Sequence, residues 1–158
     1  MSAVMKPRTM IRQAKSEDID RMIAFAKGFW DQTTYAESVE YDIDTMVDTT
    51  KAMIDTDVVL YAEDEGEIVG LLSIMISPFP MNRNIKSAVE WGFYVHEQYR
   101  SGGLGVKLLE CAEAMLKERG VKFFTMIALE NLKPKAVGRF YRRLGFAPEE
   151  TCYMKELK

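Results

Sequence analysis

The residues best suited to chemistry stand in one short run, Arg100-Ser101-Gly102-Gly103-Leu104-Gly105-Val106. A β-prone segment precedes this run and an amphipathic helical pattern follows it, so the glycines fall at a strand-to-helix turn. Glycines there let the backbone curl and point successive N–H groups outward. The first four N–H groups of a helix have no intrahelical partner, and the helix dipole adds partial positive charge. The run therefore predicts a binding site for a phosphate or pyrophosphate group.

Two other phosphate-binding motifs can be compared with this run. The dinucleotide motif Gly-x-Gly-x-x-Gly requires glycine at position 108, which is Leu108. A Walker loop requires Gly-Lys-Ser/Thr, whereas Gly105 is followed by Val106 and Lys107. A plain structural turn with a solvated Arg100 remains the alternative when the run is considered by itself.

Composition sets the broad class of the protein. Of the 158 residues, 47% are apolar and 28% are charged, and the net charge is −3. These values predict one soluble globular domain spanning residues 1–158 and argue against nucleic-acid binding. We find no signal peptide or membrane-spanning segment, and the two cysteines lack metal or redox spacing. We therefore expect a cytoplasmic protein without a metal site and with no membrane partner.

The elements that must position the glycine run follow from the hydrophobic periodicity. The predicted order is β-α-α-β-β-β-α-β-α-β, with Ser77–Pro80 breaking one strand, a loop to about residue 86, and a last strand or two within 146–157. Antiparallel neighbours followed by one β-α-β crossover predict a mixed α/β (α+β) fold. Its central sheet is mixed and largely antiparallel, with helices on both faces.

A second motif lies about forty residues after the glycine run. It comprises Ala136, Tyr141, and the pair Gly145-Phe146, where Gly145 suits a helix end. Together with Arg-x-x-Gly-x-Gly, it resembles the GNAT (Gcn5-related N-acetyltransferase) superfamily. The predicted element order is similar to the GNAT fold along nearly the whole chain.

The resemblance implies transfer of an acetyl group from acetyl-coenzyme A to a primary amine, on a small molecule or a protein. It implies that the pantetheine arm pairs with backbone near Phe93 and Val95. Pyrophosphate would bind the N–H groups of 101–106, with Arg100 near the same site. Tyr141 stands where the family commonly places its general acid, which would donate a proton or a strong hydrogen bond to the departing thiolate.

An amine must be neutral to attack, so a base is often wanted. Glu90 is the first candidate, because a carboxylate in an otherwise apolar strand has a raised pKa when buried. Glu97 and His96 are nearer the glycine turn and are the alternatives. Some members of the family use water instead.

The chain departs from the family at one coenzyme-contacting position. The asparagine often found seven residues before the tyrosine is Pro134 here, and the nearest asparagine is Asn131. In the family, the segments around Trp30, Tyr35 and Ser77–Pro80 shape the acceptor pocket, although Trp30 also completes a helical stripe.

Four further questions about function stay open on the sequence alone. A non-catalytic acyl-coenzyme-A-binding or regulatory module on the same fold is the main alternative to an enzyme. A basic cluster on the last helix suits a solvated face better than RNA, with the coenzyme 3′-phosphate as a further partner. The cluster comprises Lys133, Lys135, Arg139, Arg142 and Arg143. The acceptor is unnamed, and both a monomer and a homodimer fit the resemblance.

Overall fold

The computed structural model describes residues 9–158, which form five strands and four α-helices. Three short 3-10 helices lie before α1, between α1 and α2, and before α3, at Ser16–Asp18, Thr34–Glu37 and Glu97–Gly102. The elements in chain order are β1 Met10–Gln13, α1 Ile19–Trp30, α2 Ile43–Thr56, β2 Val58–Asp64, β3 Glu67–Phe79, β4 Asn82–Val95, α3 Leu104–Glu118, β5 Val121–Thr125 and α4 Pro134–Arg143.

The strands form one sheet in the order β1-β2-β3-β4-β5. The first three pairings are antiparallel, and β4 pairs with β5 in parallel across the α3 crossover. One apolar cluster includes Met22 of α1 and Met53 of α2 with Leu71 of β3, and the other includes Leu108 of α3 and Tyr141 of α4. The predicted fold class, a mixed and largely antiparallel sheet with helices on both faces, is confirmed.

The β2–β3 hairpin sets the register of the sheet centre. Its two turn residues, Glu65 and Gly66, both have positive φ angles, 51° and 86°. Turns of this kind match the natural twist of paired strands. The resulting register aligns Leu72 with Leu60 on one side and Phe93 on the other, and these positions contribute to the apolar cluster beneath α3.

The strand break predicted at Ser77–Pro80 is wrong. β3 runs on to Phe79, and β4 begins at Asn82 rather than after residue 86. Pro78 pairs with Lys86, and the register shifts next to it, where a residue without an N–H group is tolerated. The Phe79 ring lies 5.4 Å from that of Phe123 in β5, so cross-strand packing holds this extension of the hairpin in place.

The last strand of the predicted order is absent from the described residues. Phe146 packs against Phe124 of β5, but residues 147–158 are exposed and form no strand. Pro148 removes an N–H group from this segment. Tyr153 and Met154 are neighbours in the sequence and would point to opposite faces of a strand, so this segment has no one-sided apolar face. Within residues 9–158, no helix is both long and apolar enough to cross a bilayer.

Candidate active site

A gap opens in the sheet where β4 separates from β5. Their pairing ends at Val89 and Thr125, while β4 continues to Val95. The N–H of His96 donates to the carbonyl of Val69 in β3, 2.9 Å away. Because backbone groups alternate along a strand, those of Phe93 and Val95 face away from β3, toward the gap. This stretch of β4 thus has an edge without a strand partner.

A cavity of about 1390 Å³ occupies this gap and extends onto both faces of the sheet. From one face α1 and α2 contribute side chains, from the other α3 and α4 do, and the loop after β5 closes one side. Such a volume is large enough for a ligand with an extended arm. The lining contains each of the predicted catalytic candidates, which are Glu90, His96, Glu97 and Tyr141.

The backbone N–H and carbonyl of Ile127 contact two of these candidates. Its N–H donates to Glu90 Oε2 at 2.9 Å, and its carbonyl accepts the Tyr141 hydroxyl at 2.9 Å. Glu90 comes from β4, Tyr141 from α4 and Ile127 from the loop after β5. β4, α4 and the loop after β5 therefore meet at the backbone of Ile127, at the mouth of the gap.

The ionisable groups of this pair have displaced pKa values. Desolvation raises the pKa of Glu90 to about 7, although hydrogen bonds from the N–H groups of Ile127 and Phe93 oppose it. Desolvation also raises the pKa of Tyr141, and the nearby charge of Glu90 adds to this effect. At neutral pH the carboxyl group can accept or release a proton, whereas the phenol stays protonated.

A β-bulge separates Glu90 from its neighbour on the strand. Ser73 of β3 pairs with Gly92 and Ile74 pairs with Glu90, so Trp91 has no residue opposite it. Bulges redirect side chains, and they are common beside active sites. Here the bulge leaves Glu90 on the α3 side with its partner Ile74, whereas Trp91 is 54% exposed.

The glycine turn lies at the other end of the cavity. Gly103 has a φ angle of 78° and is both the C-cap of the preceding 3-10 helix and the N-cap of α3. A Cβ built there would meet no atom within 4 Å, so the space in front of it is open. The N–H groups of Leu104, Gly105 and Val106 begin α3 and have no intrahelical partner. This end of α3 suits an anion, as the sequence predicts.

Gly105 is constrained by packing rather than by its backbone angles. A Cβ at this position would lie 3.3 Å from Phe93 and 3.4 Å from Phe140. Phe93 and Phe140 stack with ring centroids 6.3 Å apart. The absence of a side chain lets α3 approach β4 closely and brings the glycine turn to the free edge of that strand.

Three of the predicted coenzyme contacts have other roles in this structure. Ser101 and Gly102 lie within the 3-10 helix Glu97–Gly102, where N–H groups point to carbonyls three residues back. Arg100 Nε donates to the carbonyl of Val95 at 2.9 Å, and its guanidinium lies 5.6 Å from the Tyr94 ring centroid. These residues line or adjoin the cavity, but their coenzyme contacts stay a prediction.

The alternative bases stand farther along the turn. His96 is exposed, and its Nδ1 accepts a hydrogen bond from the N–H of Gln98 at 3.4 Å. Glu97 is exposed in the first turn of the same 3-10 helix. Neither forms a hydrogen bond with Ile127, whereas Glu90 does, so the geometry favours Glu90.

The part of the cavity formed by α1 and the segment after it is lined with aromatic rings. Trp30 stacks on Tyr35 with centroids 6.1 Å apart and lies 5.9 Å from Tyr41. All three line the cavity, whereas no residue of Ser77–Pro80 does. Asn131 also lines it, and its amide donates to the carbonyl of Gln32 at 3.0 Å, which ties the loop after β5 to the end of α1.

Sequence reasoning missed Ile127 and Trp91. Ile127 acts through its backbone N–H and carbonyl, which leave no signature in residue type. Trp91 directly follows the predicted base, and the only signal in the sequence was Gly92 within the strand, since such glycines often mark a bulge.

Comparisons with known proteins bear on this geometry. A sequence model of the acetyltransferase (GNAT) domain matches residues 55–148, which include β4, the glycine turn and α4. No curated protein matches the sequence.

Solved structures share the fold. A transcriptional regulator from Bacillus halodurans is 24% identical, with a TM-score of 0.74, over 94% of this chain and 99% of that chain. A predicted acetyltransferase with acetyl-CoA from Clostridium acetobutylicum is 19% identical, with a TM-score of 0.72, over 95% and 96%. An aminoglycoside 6'-N-acetyltransferase from Acinetobacter baumannii is 17% identical, with a TM-score of 0.71, over 95% and 99%.

The domain match covers more than half of the chain and includes both motifs that the sequence analysis singled out. The overall fold, a five-stranded sheet with helices on both faces, is similar to the folds of those acetyltransferases. The chain belongs to the GNAT acetyltransferase family.

Proposed function

We propose that this protein transfers the acetyl group of acetyl-coenzyme A to a primary amine by direct attack of the amine on the thioester. The observation that carries this proposal is the arrangement around Ile127. A carboxyl group with a pKa near 7 accepts a hydrogen bond from the N–H of Ile127, and a protonated phenol donates to the carbonyl of the same residue, beside the free edge of β4. The gap admits an extended ligand to that point.

The coenzyme fits the residues present at the other end of the cavity. The N–H groups of Leu104, Gly105 and Val106 bind the pyrophosphate, with the open space before Gly103 admitting its oxygens. Backbone groups of Phe93 and Val95 pair with the amide groups of the pantetheine arm along the free edge. The Phe93 N–H, which donates to Glu90, and the Val95 carbonyl, which accepts from Arg100, must be released to take part.

Glu90 removes the proton that an attacking amine must lose. A base works best when its pKa lies near the operating pH, which the desolvated carboxylate satisfies. A nitrogen–carbon bond forms as the carbon–sulfur bond breaks. A primary ammonium loses two protons in all, of which one ends on the thiol and one reaches solvent through Glu90.

Tyr141 stabilises the leaving sulfur as a hydrogen-bond donor. Its raised pKa lies well above the ordinary thiol range near 8.5, so complete transfer of the phenolic proton to the thiolate is unfavourable. Its hydroxyl must leave the carbonyl of Ile127 to reach the sulfur. A donor held ready in a desolvated site costs little reorganisation as charge develops.

Turnover separates an enzyme from a non-catalytic acyl-coenzyme-A-binding module. The protein is incubated with acetyl-coenzyme A and a panel of primary amines, while free thiol and acetylated amine are both quantified. We expect equal amounts of thiol and amide. Stabilisation of the fold by acetyl-coenzyme A, but not by ATP or NAD, together with no amide from any amine would favour the module instead.

A further inference from the structure

The acceptor side of the cavity has a composition that selects among amines. Every lining residue contributed by α1, α2, the segment between them and β3 is uncharged at neutral pH. Aromatic rings of Trp30, Tyr35 and Tyr41 form one cluster there. Among the described residues that line the cavity, the carboxylates are Glu90 and Glu97, and Glu90 alone contacts Ile127.

An uncovered apolar strip of the sheet continues this surface to the reaction centre. Met75 and Val89 face each other across β3 and β4 and are 37% and 39% exposed, and Trp91 is 54% exposed. All three line the cavity, and Val89 and Trp91 directly precede and follow Glu90 in the sequence. Contiguous exposed apolar side chains beside a polar group mark a surface that a ligand covers.

Charge argues against acceptors with several ammonium groups. Each additional ammonium group moved into this part of the cavity would lose water without a carboxylate among the lining residues there to pair with. An apolar body gains instead, because it removes Trp91, Val89 and Met75 from water together with its own surface.

We propose that the acceptor is a monocationic arylalkylamine or alkylamine, whose apolar body covers Trp91, Val89 and Met75 while its amine reaches Glu90. This inference rests on the proposed acetyl transfer at Glu90. Glu90 and its partner Ile74 lie on the face that packs under α3, whereas Val89 and Met75, which alternate with them, lie on the other face. The amine of a ligand that covers Val89 and Met75 therefore reaches Glu90 around the strand edge that β5 leaves free. An alkyl spacer between the ring and the amine meets that requirement.

The test compares four amines as acceptors for the wild-type protein: 2-phenylethylamine, ethylamine, spermidine and kanamycin. We expect kcat/KM for 2-phenylethylamine to exceed the values for spermidine and kanamycin by about tenfold or more. Trp91→Ala should lower kcat/KM for 2-phenylethylamine about tenfold, mainly through KM, and leave ethylamine unchanged. Trp91→Phe should restore most of the loss. Tyr153→Ala, which removes a ring 93% exposed outside the cavity, is the matched control.

Two results would overturn the inference. One is a kcat/KM for spermidine or kanamycin equal to or above that for 2-phenylethylamine. The other is an equal loss for ethylamine and 2-phenylethylamine in Trp91→Ala, which would assign Trp91 to the structure of the strand. In either case acetyl transfer itself would stand.

A binding measurement keeps the two proposals distinguishable. Both tryptophans of the chain, Trp30 and Trp91, line the cavity, so their fluorescence reports its occupancy. With coenzyme A present, 2-phenylethylamine should change this fluorescence, and Trp91→Ala should weaken its binding about tenfold. Such binding without acetylation of any amine would reject the transfer but retain the apolar amine site. No binding of 2-phenylethylamine would reject the site.

Discussion

The two sides of the cavity are built in different ways. The proposed coenzyme side consists of backbone groups from one continuous stretch, 93–106, and depends on glycines that leave space. The proposed acceptor side is lined by side chains from α1, the segment after it, β3 and β4, which are far apart in sequence. A change on the coenzyme side should weaken acetyl-coenzyme A binding whatever the amine, whereas a change on the acceptor side should alter which amine is accepted. The backbone of Ile127 lies where the two sides meet.

The largest effect is expected on the coenzyme side. Gly103→Asp should weaken acetyl-coenzyme A binding about 100-fold or more, because it strains a backbone with φ of 78° and places a negative charge before the phosphates. Isothermal titration calorimetry measures this directly. Gly103→Asn is the matched control, since it tolerates the same backbone conformation without charge and should lose far less. Equal affinities in folded wild type and Gly103→Asp would remove the phosphate-binding assignment.

The next effect concerns Tyr141, where the two sides meet. Tyr141→Phe should lower the single-turnover rate about 100-fold with little change in KM for acetyl-coenzyme A, since the hydroxyl acts once charge builds on sulfur. It also leaves the Ile127 carbonyl without its donor, which costs about 1 kcal/mol of stability.

A second buried tyrosine provides the control for that loss of stability. Tyr61 donates to Asp18 at 3.1 Å, away from the cavity. Tyr61→Phe should therefore lose similar stability and keep its turnover. Wild-type single-turnover rates in Tyr141→Phe would show that the hydroxyl only holds the loop.

Glu90 should carry a measurable cost in stability. Its folded pKa of about 7 exceeds the ordinary value of 4.5, so the folded state binds more protons between these values and stability falls as pH rises through that window. Above pH 7 the full cost is up to about 3 kcal/mol. Glu90→Gln removes the charge and can still accept from Ile127.

Urea unfolding at pH 5 and pH 8 measures this effect. The free energy of unfolding of Glu90→Gln, minus that of wild type, should be larger at pH 8 than at pH 5. An unchanged difference between the two proteins at both pH values would mean that the carboxyl group is well solvated.

The smallest effect is expected at His96. His96→Ala should lose about 0.5–1 kcal/mol of stability, because its Nδ1 caps the 3-10 helix, and should change turnover less than about twofold. His96→Asn keeps a capping acceptor and should recover most of that stability. A loss of the ascending limb of the pH–rate profile in His96→Ala would instead identify His96 as the base.

The sequence predicted what depends on local backbone chemistry. Gly103, Gly105 and the helix that follows them were found because their spacing specifies a turn. Tyr141 was singled out by the family resemblance and Glu90 by its charge within an apolar strand, but their meeting at Ile127 was not predicted, since it requires three elements to converge. The break at Ser77–Pro80 and the strand within 146–157 were predicted wrongly because pairing partners, rather than local propensity, decide whether a segment becomes a strand. The aromatic surface proposed for the acceptor likewise arises from tertiary packing.

The pH dependence of the single-turnover rate for acetyl transfer, in wild type and in Glu90→Gln, tests the central claim most directly. The claim is that Glu90, held in the gap between β4 and β5, removes the proton of the amine. In wild type the rate should rise with pH, break at about 7 and then level off. In Glu90→Gln the break should vanish, and the rate should keep rising with pH up to the pKa of the amine itself, ~10. The same break in both proteins, at equal rates, would contradict the account.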